Sequence, residues 1–208
     1  MLSLPLNTRN GLVIVAHPDD ETIWMGGTIF SFPQVNWTIF SLCRSSDSDR
    51  EPKYMRVCSL YPARGIITDL EDEGIMSVEE SVGKIKRIIK TELVTKSYDI
   101  IFTHGSNGDY GHLRHKGVHR AVTDLIKART LSCRKLYYFS YFLDSKKKIA
   151  LPKVPAKYFM NLPLPVWQKK KNLIHEIYGF SRKSFEYRSC SKIETFVDSK
   201  YNENINTF

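Results

Sequence analysis

The chain of 208 residues has few cysteines and no long hydrophobic run. Its four cysteines are scattered and form no C-x-x-C pair, so neither a thiolate zinc site nor a disulfide framework is indicated. No apolar stretch approaches the roughly 18 residues that are needed to span a bilayer. Residues 1–10 also lack the basic and apolar regions of a signal peptide. These absences predict a cytoplasmic protein with reduced thiols and no transmembrane segment.

Positive charge exceeds negative charge, with 31 lysines and arginines against 22 acidic residues and a net charge of +9. The basic residues are spread along the chain, and no RNA-binding signature of interleaved aromatics and glycines accompanies them. We therefore favour a basic, solvated surface and expect no nucleic-acid partner. Such a surface could equally attract an anionic substrate or a nucleotide-linked sugar. Oligomeric state is left open by the sequence.

Apolar patterning alternates between strands and helices along the first two thirds of the chain. This alternation predicts an α/β fold, a Rossmann-like three-layer sandwich with a largely parallel sheet of about five or more strands. We expect one domain over 1–208, with a core at about 10–145 and a C-terminal helix and tail at 146–208. Strands are predicted at 11–16, 36–43, 65–70, 98–103 and 135–142, helices at 20–30, 49–61, 78–95, 115–128 and 166–178, and a frayed tail at 202–208.

The most informative motif is Ala-His-Pro-Asp-Asp-Glu at 16–21, which directly follows the apolar run Leu-Val-Ile-Val at 12–15. Parallel sheets place their chemistry at the carboxyl ends of strands. At the carboxyl end of this strand, His17 and Asp20 can bind a metal ion, while Asp19 points away from it. Asp19 or Asp20 could instead cap a helix, and we interpret Glu21 as a residue that only favours the first helical turn.

A second cluster of polar residues, Thr103 to His115, follows the predicted fourth strand and contains His104, His112 and His115. Together with His17 and Asp20, it can supply the three protein ligands and open position of a catalytic zinc site. We interpret His104 as a structural or supporting histidine. His119, four residues after His115, could form a different metal pair, but packing on the sheet is the preferred interpretation.

These motifs resemble the LmbE-like/PIG-L family of zinc-dependent N-acetylglucosaminyl de-N-acetylases. The resemblance rests on residues 16–21, on Gly-His-x-x-His at 111–115 and on Gly-Gly-Thr at 26–28, and it covers roughly 10–145. It implies a Zn²⁺ cofactor, although Fe²⁺ or cobalt could occupy the same site. It also implies residue roles. His17, Asp20 and His115 would be zinc ligands, and Asp19 would be the general base. His112 would stabilise the oxyanion or protonate the leaving amine, Tyr110 would approach the substrate carbonyl, and Arg50 would face the substrate.

One departure from the family pattern concerns the two residues between the histidines of the second motif. Many members have Pro-Asp there, whereas this chain has Leu113 and Arg114. An acidic residue can orient the first histidine, but a cation lowers the pKa of a nearby imidazole. Asp109 could take over as the carboxylate partner of His112.

The sequence therefore predicts removal of an acetyl group from an N-acetylglucosamine-type substrate by metal-activated water. The substrate would be a sugar conjugate, lipid-linked or nucleotide-linked sugar. Two alternatives remain: a zinc amidase acting on a different sugar or thiol conjugate, and a non-catalytic sugar- or nucleotide-binding protein of the same fold. Substrate specificity in such folds lies in loops, and the loops at 44–52 and 145–165 carry no readable code.

Overall fold

A computed structural model describes residues 1–199 and contains one seven-stranded sheet and one two-stranded sheet in that range. The strands are β1 (Asn10–Val15), β2 (Asn36–Ser41), β3 (Arg64–Ile67), β4 (Ser97–Thr103), β5 (Ser132–Phe139), β6 (Tyr141–Asp144), β7 (Ile149–Pro152), β8 (Tyr158–Asn161) and β9 (Ile193–Asp198). The helices are α1 (Asp20–Ser31), α2 (Arg50–Leu60), α3 (Val78–Glu92), α4 (Leu113–Lys127), α5 (Leu164–Asn172) and α6 (Phe185–Ser189). A π-helical turn, Leu173–Ile177, continues α5.

The large sheet has the order β3-β2-β1-β4-β5-β9-β8. The pairs from β3 to β5 are parallel, and β9 and β8 extend the sheet antiparallel. This arrangement confirms the predicted α/β sandwich with its largely parallel sheet. The order of the strands reverses between β1 and β4, although both strands run parallel. Ligands in open α/β sheets bind at such a switch point.

The central strand β1 is apolar without alternation because helices cover both of its faces. Val13 and Val15 belong to one core cluster, together with residues of α1, α2 and the π-helical turn. Leu12 and Ile14 belong to a second cluster, together with residues of α3 and α4. Each face of the sheet therefore has its own core, which holds the carboxyl ends of β1 and β4 in fixed positions.

The structure corrects two predicted elements. The strand predicted over 135–142 is two strands, since it breaks at Ser140, whose N–H donates to the Thr195 carbonyl at 3.0 Å. The segment after 178, which has little local pattern, contains β9. Strand β9 is stabilised by pairing with β5 and β8, which are distant in sequence, and local periodicity does not reveal such pairing. The predicted frayed tail at 202–208 lies outside the described residues.

Helix α1 is broken at Met25, whose φ of −148° and ψ of 16° are not helical. The second half begins at the glycine pair, and the buried carboxylate of Glu194 accepts the N–H groups of Gly27 and Thr28, both at 2.8 Å. The buried Lys170 ammonium donates to the same carboxylate at 2.7 Å. This break separates the half of α1 that carries Asp20 from the half that contacts Glu194 and Leu162.

Replacing Gly27 by alanine should destabilise the protein, because a Cβ there would lie 2.3 to 2.8 Å from three side-chain carbons of buried Leu162. Overpacking of this kind costs about 1–3 kcal/mol. Gly83→Ala is the matched control, because Gly83 lies in α3 with nothing within 4 Å of its added Cβ. It should stabilise the helix by about 0.5–1 kcal/mol. Urea unfolding measures both, and equal free energies of unfolding in the two variants would contradict the packing described for Gly27.

No helix within residues 1–199 has the length and apolar character that are needed to cross a membrane.

Candidate active site

The two predicted motifs meet at the carboxyl edge of the sheet. The loop that follows β1 carries His17 and Asp19, and α1 begins next at Asp20. The loop that follows β4 ends with His112, and His115 lies in the first turn of α4. Because β1 and β4 are neighbouring parallel strands, both loops leave the sheet at the same edge. Residues separated by almost a hundred positions are thus brought into contact.

His17, Asp20 and His115 form a compact cluster of three donor atoms. His17 Nδ1 lies 3.2 Å from Asp20 Oδ2, His115 Nε2 lies 3.3 Å from the same oxygen, and the two nitrogens are 3.2 Å apart. His115 is fully buried and Asp20 nearly so. Burial opposes ionisation of Asp20, but the neighbouring imidazoles of His115 and His104 outweigh it and hold the pKa of the Asp20 carboxyl below its usual value.

Asp109 holds the His115 ring in one orientation. Its Oδ2 lies 2.9 Å from His115 Nδ1 and 2.6 Å from His104 Nδ1, and all three side chains are buried. A carboxylate accepts, so His115 Nδ1 carries the proton and Nε2 presents a lone pair to the cluster. Asp109 therefore contacts His115 rather than His112, and the suggestion that it replaces the missing acidic partner of His112 is wrong.

His104 stacks on His115 with 3.8 Å between ring centroids. Its Nδ1 donates to Asp109, and its Nε2 accepts the Ala16 N–H at 2.9 Å. Both ring nitrogens are thus used within the protein. Although His104, Asp20 and His115 are close enough to form a metal-binding group, the Nε2 lone pair of His104 already has a partner.

Asp20 has a further partner that the sequence analysis missed. Trp24 Nε1 donates to Asp20 Oδ1 at 2.8 Å, and the His17 N–H donates to Asp20 Oδ2 at 2.9 Å. The i, i+4 spacing of Asp20 and Trp24 at the start of a predicted helix was a signal for this contact. The carboxylate is consequently fixed on both oxygens.

Asp19 lies beside this cluster with its carboxylate directed to Arg50. Arg50 Nη1 lies 3.2 Å from Asp19 Oδ2, and the guanidinium also lies 4.5 Å above the Phe180 ring. Burial and the negative charge of Asp20 raise the pKa of Asp19, although Arg50 opposes this shift. Asp19 is the N-cap residue of α1, yet its side chain makes no capping hydrogen bond, and its φ of 131° is unusual for a residue other than glycine.

His112 and Tyr110 line the cavity above the three donor atoms. His112 Nδ1 accepts the Arg114 N–H at 3.2 Å, which leaves Nε2 to carry the proton of a neutral ring. Burial lowers the pKa of His112 to about 4, and the neighbouring imidazoles of His115 and His17 add to this shift. The Tyr110 ring packs edge-on against His115 with 5.2 Å between ring centroids, and it lies tilted against Phe185 at 4.7 Å.

The Arg114 side chain turns away from His112 towards an acidic loop after β3. Its Nη2 lies 3.1 Å from Glu71 Oε2, and its Nε lies 4.0 Å from Asp72 Oδ1. Asp72 Oδ2 in turn lies 2.9 Å from His17 Nε2, but buried Nε2 makes no contact of hydrogen-bond geometry among the described residues. Asp72 was missed by the sequence analysis, although its place after a parallel strand was an available signal.

The cluster opens into a cavity of about 290 Å³. Six of the seven predicted site residues line it, and buried His115 does not. A second arginine, further carboxylates and aromatic side chains complete the lining, including Arg44, Asp47, Asp72, Phe185 and Glu186. The cavity is therefore rich in acidic groups, although the chain as a whole is basic. A larger cavity of about 530 Å³ lies beside α4, β5 and β9 and contains none of the predicted site residues.

A family model described as GlcNAc-PI de-N-acetylase, PIG-L, matches residues 12–126, which is more than half of the chain. The chain belongs to the PIG-L family. The match confirms the resemblance drawn from the two motifs and contains all seven predicted site residues. Helices α5 and α6 and strand β9 of this PIG-L chain lie beyond the matched segment.

The three similar proteins named below share no more than 25% identity with this PIG-L chain. An uncharacterized protein, L374, from Acanthamoeba polyphaga mimivirus is 25% identical over 130 residues, which cover 55% of this chain and 56% of that protein. The chain thus matches little more than half the length of this relative.

One similar solved structure is that of GalB, the 4-carboxy-2-hydroxymuconate hydratase from Pseudomonas putida, with a TM-score of 0.61 and 15% identity. The alignment covers 86% of this chain and 83% of the hydratase chain. Another is that of N,N′-diacetylchitobiose deacetylase from Pyrococcus horikoshii, with a TM-score of 0.57 and 14% identity. Here the alignment covers 89% of this chain and 72% of the deacetylase chain. At these identities the likeness concerns the fold, and the fold is shared by a hydratase and a deacetylase.

Proposed function

We propose that this PIG-L chain is a metal-dependent hydrolase that removes the acetyl group from an N-acetylglucosamine-type substrate. The observation that carries the proposal is the clustering of His17 Nδ1, Asp20 Oδ2 and His115 Nε2 within 3.2–3.3 Å of one another. The description of the family and the deacetylase among the structural neighbours support the same reaction class.

The three donor atoms fit a zinc ion. Ligand atoms that are about 2.0–2.2 Å from a tetrahedral metal are about 3.4 Å from one another. The spacing of 3.2–3.3 Å in the cluster is close to this value. Two imidazoles and one carboxylate also form a donor set that zinc commonly takes in hydrolases, with one position left open.

His17, Asp20 and His115 would hold the ion. A zinc ion in such a site acts as a Lewis acid that makes water a nucleophile at neutral pH and polarises a carbonyl. Asp109 keeps the His115 lone pair directed at the site, and Trp24 keeps the Asp20 carboxylate in place. Because these partners are already hydrogen-bonded, little reorganisation is needed when the ion binds.

Asp19 is the proposed general base. Its carboxylate reaches the cavity beside the donor cluster, and no capping bond competes for it. It would take a proton from the attacking water and pass it to the departing amine. Arg50, which is 3.2 Å from Asp19, would orient the carboxylate and contact the substrate at the rim.

His112 and Tyr110 are the proposed partners of the acetamide oxygen. A neutral His112 with its proton on Nε2 is a hydrogen-bond donor, and so is the Tyr110 hydroxyl. Donors that are already in place where negative charge develops stabilise the tetrahedral transition state. Neither role requires a protonated His112, so replacement of the usual acidic neighbour by Arg114 is compatible with the reaction.

The cavity suits one sugar ring. Its volume of about 290 Å³ is at the lower end of small-molecule sites. The Tyr110 and Phe185 rings offer apolar surface to a sugar face, and Asp47 and Glu186 can accept hydrogen bonds from hydroxyls. The remainder of a conjugate would lie outside the cavity.

The proposal is tested by measuring acetate and free amine released from N-acetylglucosamine, N,N′-diacetylchitobiose and GlcNAc-phosphatidylinositol. We expect release from at least one of them by zinc-loaded protein, loss of release after chelation, and recovery with added Zn²⁺. Reconstitution with Fe²⁺ or Co²⁺ identifies the preferred metal. Full activity in chelator would overturn the metal-dependent reaction, and release from an N-acylated sugar–thiol conjugate alone would favour the amidase alternative.

A further inference from the structure

Glu21, the last residue of the first motif, is fully buried instead of being a simple helix-start residue. Its Oε2 accepts the Asp19 N–H at 3.0 Å, and its Oε1 accepts the hydroxyls of Thr22 at 2.6 Å and Tyr178 at 2.7 Å. Both carboxylate oxygens are therefore occupied inside the protein. The sequence interpretation that Glu21 only favours the first helical turn misses these contacts.

The contact with Asp19 concerns the backbone of the proposed general base. An N-cap aspartate commonly has an extended backbone, and its side chain accepts a hydrogen bond from the first turn of the helix. Asp19 does neither, since its φ is 131° and its carboxylate is directed to Arg50. Its carbonyl is held by the N–H groups of Thr22 and Ile23 at 2.9 and 2.8 Å, and its own N–H is held by Glu21.

Tyr178 reaches Glu21 from outside the segment that the family model matches. It follows the π-helical turn Leu173–Ile177, and its N–H donates to the Leu173 carbonyl at 2.9 Å, five residues earlier. Its side chain is buried and its hydroxyl donates to Glu21 Oε1. The extra residue in the π-helical turn shifts the register of the chain, and such turns occur frequently at functional sites.

We propose that Glu21 and Tyr178 are positioning residues that hold Asp19 in its unusual backbone conformation and so keep its carboxylate in the cavity. Without them, the Asp19 backbone can relax to the extended conformation of an ordinary N-cap, and its carboxylate then turns to the N–H groups of α1. Tyr178 thereby contributes to catalysis from the C-terminal segment without contacting the substrate. This inference rests on the proposed function for its catalytic part only.

The kinetic test compares whole-chain, zinc-loaded variants on the acetylated sugar that the wild type cleaves best. Glu21→Ala should lower kcat by about 100-fold, the typical effect of a small misplacement of a reacting group. Tyr178→Phe should lower kcat by about tenfold, as expected for one buried hydrogen bond. KM and bound zinc should stay at wild-type values in both, because neither residue contacts substrate or metal. Glu21→Gln, which keeps an acceptor for the Asp19 N–H, should restore most of the activity.

Tyr54→Phe is the matched control, because it also removes a buried tyrosine hydroxyl, one that donates to the carbonyls of Ile39 and Ile66 in the sheet. It should leave kcat unchanged. An equal loss of kcat in Tyr54→Phe and Tyr178→Phe would show that removing any buried tyrosine hydroxyl lowers kcat. That result would overturn the proposal. Loss of zinc together with kcat in Glu21→Ala would do the same.

A second measurement does not depend on activity. Hydrogen exchange by NMR should show a protected Asp19 amide in the wild type, loss of that protection in Glu21→Ala and partial loss in Tyr178→Phe. Other α1 amides should remain protected, and Tyr54→Phe should match the wild type. If the wild type cleaves none of the sugars, the proposed function fails, but the amide protection still tests whether Glu21 and Tyr178 position Asp19. Unchanged protection of the Asp19 amide in Glu21→Ala would refute that positioning role.

Discussion

Replacing Asp19 by asparagine should reduce kcat by about 10²–10⁴-fold, the range of a general base, while the protein keeps its zinc. Asparagine preserves the size of the side chain but cannot accept a proton from water. The donor cluster of His17, Asp20 and His115 does not include Asp19, so metal binding should survive. Steady-state kinetics on the acetylated sugar and metal analysis of the same sample measure both quantities.

Asp49→Asn is the control for the Asp19 variant. Asp49 is also a helix N-cap carboxylate, but its side chain is 66% exposed and pairs with Lys53 on the surface. Its replacement should leave kcat within the error of the wild-type value. Wild-type turnover by Asp19→Asn would remove Asp19 as the base, and loss of zinc from it would show that Asp19 supports the metal instead.

The second large effect concerns the metal. His115→Ala should abolish zinc binding at micromolar zinc and with it turnover, because two donor atoms are too few to hold the ion. The variant also leaves buried Asp109 with one imidazole partner where it had two. Isothermal titration of the metal-free protein with Zn²⁺ measures the loss of affinity directly.

Two further variants should show an intermediate and an unchanged affinity for zinc. Asp109→Asn keeps every donor atom but weakens the partner that orients His115, so affinity for zinc should fall by about 10–100-fold. His119→Gln changes a histidine one turn further along α4, whose Nδ1 contacts the His104 carbonyl at 3.0 Å, and should bind zinc like the wild type. Equal zinc affinity in His115→Ala and His119→Gln would contradict the proposed centre.

The fold could be predicted in outline because its signals are local. The buried run at 12–15, the amphipathic stripe of α3 and the alternation of strands and helices each depend on residues close in sequence. Strand β9 could not be predicted in this way, because its partners β5 and β8 lie more than thirty residues earlier in the chain. The break at Ser140 likewise depends on a contact with Thr195.

Site residues could be predicted where they are adjacent in a motif, or where they follow the carboxyl end of a parallel strand. Six of the seven predicted residues line one cavity: His17, Asp19, Asp20, Arg50, Tyr110 and His112. The seventh, His115, contacts His17 of that lining. The partners that fix these side chains were mostly missed, since Asp72 and Tyr178 approach from other loops and helices and form no motif with the residues that they hold.

The sequence by itself determined the fold class, the family and the two loops that carry the chemistry. Those features follow from local periodicity and from motifs whose members lie within six residues of one another. Only the tertiary structure decided that His104 and Asp109 support His115, that Arg114 turns to the acidic loop after β3, and that Glu21 is a buried anchor for Asp19. Each of these depends on the direction of a side chain in three dimensions, and packing between distant segments sets that direction.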